Sequence, residues 1–131
     1  MSCKSAIYAA NTASQDVSAN GVINFGSVVR RFGQNCNLSG GNVVVDGSGY
    51  YDVDVNINFL GSATDTATFT VFKDGTAIPG ASATVTTAAS TAGTVTIPAV
   101  IREICCCEST ITVGCDIAIT VSNAAIVVKK V

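Results

Sequence analysis

Polar and apolar side chains alternate without interruption between residues 49 and 59 of this chain. Every odd position from Tyr51 to Phe59 is apolar, and every even position from Asp52 to Asn58 is polar. Successive side chains of a β-strand point to opposite faces, so this pattern predicts a strand with one face in a core. A helix would place Asp and Asn within its apolar stripe. The segment is therefore predicted to be a long, half-buried strand with a central place in its sheet.

Alternation and turn signals recur through the rest of the chain. Further strands are predicted at residues 5–10, 21–32 (with a bulge or bend at Gly26), 35–39, 42–46, 65–73, 82–87, 94–104, 109–122 and 124–131. Turns are predicted at Gly40-Gly41, at the Asp-Gly pair of residues 74–75, and at residues 78–80. Short strands at this spacing, with no helical periodicity, predict an all-β antiparallel sandwich or barrel of roughly nine to ten strands. We expect one domain, with residues 1–20 as an N-terminal arm and first strand and residues 21–131 as the body.

Charge is scarce in this sequence. Only 12% of the residues are charged, 48% are hydrophobic, and the net charge is −2. Such a composition predicts that part of the surface is covered in an assembly. The seven Lys and Arg residues form no basic stripe, so a nucleic-acid partner is not expected. No apolar run has signal-peptide or membrane-spanning length, and we therefore expect synthesis in the cytoplasm and no membrane partner.

The residues needed for catalysis do not form a recognisable set. The chain contains no His, which removes the commonest general base and metal ligand. Its two Glu residues, Glu103 and Glu108, flank a run of cysteines. Ser and Thr are abundant, but no base and orienting group accompany any of them in the sequence. We predict that the protein is not an enzyme.

Six cysteines are distributed unevenly: Cys3 and Cys36 stand alone, Cys105, Cys106 and Cys107 are consecutive, and Cys115 follows. One interpretation is that these residues are free thiols that act as small hydrophobic side chains. A second is a disulfide, either between subunits or within one (Cys36 with the run, or Cys107 with Cys115 across a hairpin). A third is a soft-metal site made from Cys105, Cys107 and Cys115, or a ring of thiolates around a symmetry axis.

The polar face of residues 49–59 presents a ladder of oxygen atoms from Asp52, Asp54, Asn56 and Asn58. A plain solvated face explains this ladder without any ligand. Hard cations such as calcium bind six to eight such oxygens, so a calcium or other cation site is the alternative. No other cofactor is expected.

Three segments carry a resemblance to a known family. Gly49-Tyr50-Tyr51-Asp52-Val53, after a short strand and a Gly-rich turn, resembles the glycine-any-tyrosine strand of the tumour-necrosis-factor-like jelly roll. The Asp-Gly hairpin of residues 72–78 and the final segment 124–128 resemble that family's hairpin and closing strand. This superfamily includes complement globular heads and the C-terminal domains of spore-surface collagen-like glycoproteins. The resemblance implies an antiparallel jelly-roll sandwich over residues 21–131.

The resemblance also implies a homotrimer in which one sheet faces a three-fold axis. Parts of residues 50–59 and 95–104 and the terminal strand would lie near that axis, and Asp52 to Asn58 would then be trimer-axis or ion candidates. The chain departs from the family at residues 101–108, where the cysteine run replaces a Leu-rich strand and a Gly-Asp turn. No receptor-ligand function is therefore carried over.

These observations favour a structural protein. The leading hypothesis is a trimeric jelly roll that decorates a bacteriophage capsid by binding the major capsid protein or another scaffold subunit, and so lies on the virion surface. The first alternative is a subunit of a bacterial spore-surface layer or appendage, cross-linked by its cysteines. The second is a carbohydrate- or receptor-binding module, although the chain has no Trp and only three Tyr to stack on a sugar.

Overall fold

The computed structural model describes residues 4–61, 63–104 and 108–131. Within these ranges the chain forms β-strands and no helix, as the alternation predicted. The strands are β1 (Ala6–Asn11), β2 (Gln15–Val17), β3 (Ser27–Phe32), β4 (Cys36–Ser39), β5 (Asn42–Asp46), β6 (Gly49–Leu60), β7 (Asp65–Lys73), β8 (Thr76–Thr87), β9 (Ala92–Glu103), β10 (Glu108–Cys115) and β11 (Ile119–Lys130).

The strands form two antiparallel sheets that pack face to face. Sheet A has the order β3-β1-β11-β6-β9, and the short β2 also pairs with β11. Sheet B has the order β4-β5-β10-β7-β8. This is a jelly-roll sandwich of two layers, and it confirms the predicted fold class. Residues 5–20 contribute β1 and β2 to sheet A, while their separation from the body as an arm stays a prediction.

Strand β6 lies inside sheet A, with β11 on one side and β9 on the other. Its odd-numbered side chains from Tyr51 to Phe59 are all buried, and its even-numbered side chains point away from the core. Phe59 of sheet A meets Phe69 of sheet B, with ring centroids 5.4 Å apart. The alternation in residues 49–59 thus predicted both the strand and its buried face.

The predicted strand over residues 109–122 is wrong, because the structure contains two strands there. Strand β10 ends at Cys115 in sheet B, and β11 begins at Ile119 in sheet A. At the crossing, the amide of Asp116 donates to the Thr68 carbonyl, and the Asp116 carboxylate accepts from the Thr68 amide at 2.8 Å. The alternation continues across the break because both strands bury their apolar side chains in the same core.

Two other local predictions are also corrected. Residues 21–26 form no strand but a single bridge between Val22 and Gly114. Polar and apolar side chains alternate in this segment because Ile23 and Phe25 are both fully buried. The turn predicted at residues 78–80 is instead an irregularity inside β8, where Gly80 has φ 79°. A proline without an N–H and a glycine in the left-handed region interrupt the ladder but do not reverse the chain.

The Asp-Gly signal at residues 74–75 is confirmed as a hairpin turn between β7 and β8. Asp74 has φ 52° and Gly75 has φ 81°, the two positive values that a type I′ turn requires. The Thr110 amide donates to the Asp74 carboxylate at 3.0 Å, and this bond is the main reason why the pKa of Asp74 is lowered. The hairpin is therefore tied to β10 of the same sheet.

Candidate functional site

The outer face of sheet A is the side that points away from the core, and it carries the residues singled out from the sequence. Cross-strand register divides this face into rows of neighbouring side chains. One row crosses the sheet from β3 to β9, and its members are Arg30, Tyr8, Val127, Asp54 and Pro98. The next row contains Phe32, Ala6, Lys129, Asp52 and Val100.

The exposed large hydrophobic side chains are concentrated on sheet A. Among the described residues, ten such side chains are exposed, and seven of them belong to strands of sheet A: Tyr8, Val28, Val29, Phe32, Tyr50, Leu60 and Val100. Ile104 and Val131 follow directly after two of these strands, and only Val22 lies beside sheet B. A concentration of exposed apolar side chains on one sheet is typical of an interface with another protein.

Sheet B presents a contrasting outer face. Its outward positions on β7 and β8 include a block of hydroxyl side chains, namely Thr66, Thr68, Thr70, Ser82, Thr84 and Thr86. The hydroxyls of Thr68 and Thr84 lie 3.0 Å apart across the two strands. Water can satisfy these hydroxyl groups, so this part of sheet B needs no protein partner.

The four predicted ladder residues do project together from the outer face of sheet A, but their environments differ. Asp52 lies opposite Lys129, so a cation stands beside it within the chain. Asp54 lies between Val127 and Pro98, and neither neighbour offsets its charge. Asn58 is already engaged, because the Thr94 hydroxyl donates to its Oδ1 at 2.6 Å and the Ser122 hydroxyl to its carbonyl.

A cation site within one subunit finds little support in this geometry. The described part of the chain contains no group of three or more His, Cys, Asp or Glu residues placed to hold a metal ion. Asn56 lies between Ala125 and Thr96, which adds no carboxylate to the ladder. A site shared by symmetry-related copies of Asp52, Asp54, Asn56 and Asn58 stays a prediction.

Cys36 and Cys115 are buried free thiols. Burial raises the pKa of both, which disfavours the reactive thiolate. Cys36 lies on β4 opposite Val45 and cannot reach solvent without local unfolding. Cys115 ends a strand that begins at Glu108, and the predicted Cys107–Cys115 pair stays a prediction because Cys107 lies outside the described residues. Cys3, Cys105, Cys106 and Cys107 lie outside the described residues.

A group of polar residues that the sequence analysis missed closes one end of the core. Tyr51 is fully buried, and its hydroxyl donates to the Gly47 carbonyl at 2.8 Å. Burial raises the pKa of Tyr51 to about 12, and the nearby Cys36, Glu103 and Asp46 add to the shift. Glu103 is only 3% exposed, and its Oε2 has no hydrogen-bond partner among the described residues. Glu103 shares the odd-numbered, inward-facing positions of β9 with the buried Ile97 and Ile101, and this alternation could have predicted its burial.

The burial of Cys36 and Cys115 leads to a labelling prediction. In a variant with Cys3 and Cys105 to Cys107 all changed to Ser, we expect no reaction with a maleimide under native conditions at pH 8. Two thiols per chain should react in denaturant, because unfolding exposes both sulfurs and lowers their pKa values to the ordinary range. Mass spectrometry counts the adducts, and rapid native labelling of either thiol would contradict the described burial.

The part of the chain that the structure describes contains no long apolar helix of the kind that crosses a membrane.

Comparison with known proteins identifies the fold but no close relative. Neither a family model nor any curated protein sequence matches the chain. Among solved structures, murine APRIL at pH 5.0 superposes with a TM-score of 0.74 and 15% identity, over 98% of this chain and 100% of that one. The globular domain of zebrafish complement 1qA protein gives a TM-score of 0.71 at 9% identity, over 95% and 94% of the two chains.

A third similar structure comes from a different class of protein. PRD1 vertex protein P5 superposes with a TM-score of 0.63 and 13% identity, over 97% of this chain and 96% of that one. These likenesses span whole chains at very low identity, so they report architecture and not function. The chain therefore has the jelly-roll fold of the tumour-necrosis-factor-like and complement-globular-head-like proteins, as its sequence predicted.

Proposed function

We propose that this protein is a structural subunit that forms a homotrimer through the outer face of sheet A and decorates a larger particle, a bacteriophage capsid. The observation that carries this proposal is the one-sided distribution of exposed apolar side chains described above. A subunit that covers sheet A in a trimer leaves the hydroxyl-rich face of sheet B in water. The role is one of assembly and requires no catalytic group.

A trimer would cover the apolar surface that this charge-poor chain exposes. Tyr8, Tyr50 and Val100 are between 41% and 60% exposed in the isolated subunit. Burying such apolar surface contributes roughly 25 cal/mol for each Å² removed from water. A closed ring of three copies uses the same two surface patches at each contact, which needs no other partner.

The likeness to PRD1 vertex protein P5 supports a place on a viral particle. A decorating trimer needs a second surface for the scaffold, which would be the major capsid protein or another shell subunit. In this proposal the protein reaches the capsid surface after synthesis in the host cytoplasm. The spore-surface alternative would require cross-links through Cys3 or Cys105 to Cys107, since Cys36 and Cys115 are buried.

The proposal is tested at two levels. Light scattering at micromolar concentration should give a mass three times that of the 13.2 kDa chain. The gene should lie beside major capsid or portal genes, and antibodies against the purified protein should label intact particles by electron microscopy. A monomeric mass would refute the trimer. A ladder of covalent oligomers on non-reducing gels that collapses with reductant would favour the spore-surface alternative.

A further inference from the structure

Two opposite charges lie at separate places on the outer face of sheet A, with an apolar strip between them. Arg30 is exposed on the edge strand β3, and Asp54 is exposed on β6 in the same cross-strand row. Tyr8 and Val127 stand between them. Three strand spacings separate the two positions by about 14 Å, which is too far for the charges to pair within one chain.

Two charged residues close to Arg30 and Asp54 have neighbours inside the subunit that they can interact with. Asp52 stands opposite Lys129 in the adjoining row. Arg31, the neighbour of Arg30 on β3, points to the other side and its Nε donates to the Cys36 carbonyl at 2.7 Å. Arg30 and Asp54 have uncharged flanking residues in their row, as Arg102 and Asp16 do elsewhere on this face.

A recess of about 270 Å³ lies beside Asp54 on this face. Tyr8, Asp54, Asn56, Thr96, Ala125 and Val127 line it. Its lining includes the Asp54 carboxylate and the exposed ring of Tyr8. A guanidinium group fits both, because it forms paired hydrogen bonds with a carboxylate and stacks on an aromatic ring.

We infer that the recess receives Arg30 of a second copy of this chain, so that each Arg30 pairs with Asp54 of its neighbour. Cyclic trimers join two unlike patches at every contact, and a basic edge with an acidic recess is such a pair. The inference rests on the proposed trimer and specifies its contact. It also removes the need for a cation among the three copies of Asp54, since each carboxylate would have its own arginine.

Charge reversal tests the pairing. Arg30→Asp and Asp54→Arg should each raise the protein concentration at which half of the trimer dissociates by about thirtyfold or more, since each leaves two like charges in contact. The double variant should recover to within about fivefold of the parent, because the pair is restored in reverse. Asp65→Arg, an exposed charge reversal on β7 of sheet B, should leave dissociation unchanged. Dilution series by analytical ultracentrifugation measure all four.

The outcomes separate this inference from the proposed function. A parent protein that is monomeric at micromolar concentration refutes the trimer and the pairing together. A trimeric parent whose single variants are silent, or whose double variant shows no recovery, refutes the pairing alone. A parent trimer that dissociates when calcium is chelated would also refute it, because Asp54 would then bind a cation. Circular dichroism of each variant confirms that the subunit is folded.

Discussion

A Val127→Asp substitution is expected to convert the trimer into folded monomers. Val127 lies in the middle of the outer face of sheet A, between Tyr8 of β1 and Asp54 of β6. Its side chain is half-buried in the isolated subunit and points away from the core. In a trimer the new carboxylate would be buried beside Asp54, and a single Arg30 from the neighbouring copy could not pair with both carboxylates. Such burial costs several kcal/mol, which corresponds to more than about a hundredfold in affinity.

Val44 provides a matched control for this experiment. It is also half-buried and sits on an outer face, but on β5 of sheet B, between the buried Val43 and Val45. Val44→Asp should therefore keep the mass of the trimer. Light scattering and circular dichroism of both variants measure assembly and folding separately. If Val44→Asp dissociates the protein while Val127→Asp does not, the interface lies on sheet B and the proposed contact is wrong.

The sequence predicted strand bounds correctly where the whole alternating segment belongs to one strand. Residues 42–46 and 65–73 form strands with the predicted bounds. Residues 109–122 were misread because alternation records which side chains are buried and not which sheet a strand joins. Both β10 and β11 face the same core, so the pattern continues through the crossing at Asp116. The buried segment around Ile23 and Phe25 misled the prediction for the same reason.

The candidate site could be predicted only in part. Alternation placed Asp52 and Asp54 on one outer face, yet it could not distinguish them. The difference depends on the register between β6 and β11, which pairs Asp52 with Lys129 and leaves Asp54 beside Val127. Residues 54 and 127 are far apart in sequence, and no local rule sets their register. Glu103 was likewise missed because an inward-facing carboxylate contradicts the expectation that strands bury apolar residues.

Truncating Phe69 is expected to cost the subunit about 3–5 kcal/mol of its free energy of unfolding. Phe69 is fully buried on β7, and its ring packs against Phe59 of the opposite sheet with centroids 5.4 Å apart. Phe69→Ala would open a cavity between the two sheets that the surrounding strands cannot fill. Because small domains are stable by only about 5–15 kcal/mol, this loss would remove a large share of the total.

The measurement is best made by urea unfolding in the Val127→Asp background, where stability does not depend on protein concentration. Phe69→Leu keeps part of the contact and should give an intermediate loss. Thr66→Ala, on the exposed face of the same strand, should change the free energy by less than about 0.5 kcal/mol. If Phe69→Ala cost no more than Thr66→Ala, the two sheets would not be held together by this aromatic contact. The stability of the sandwich would then have to come from the aliphatic rows around Val53 and Val113.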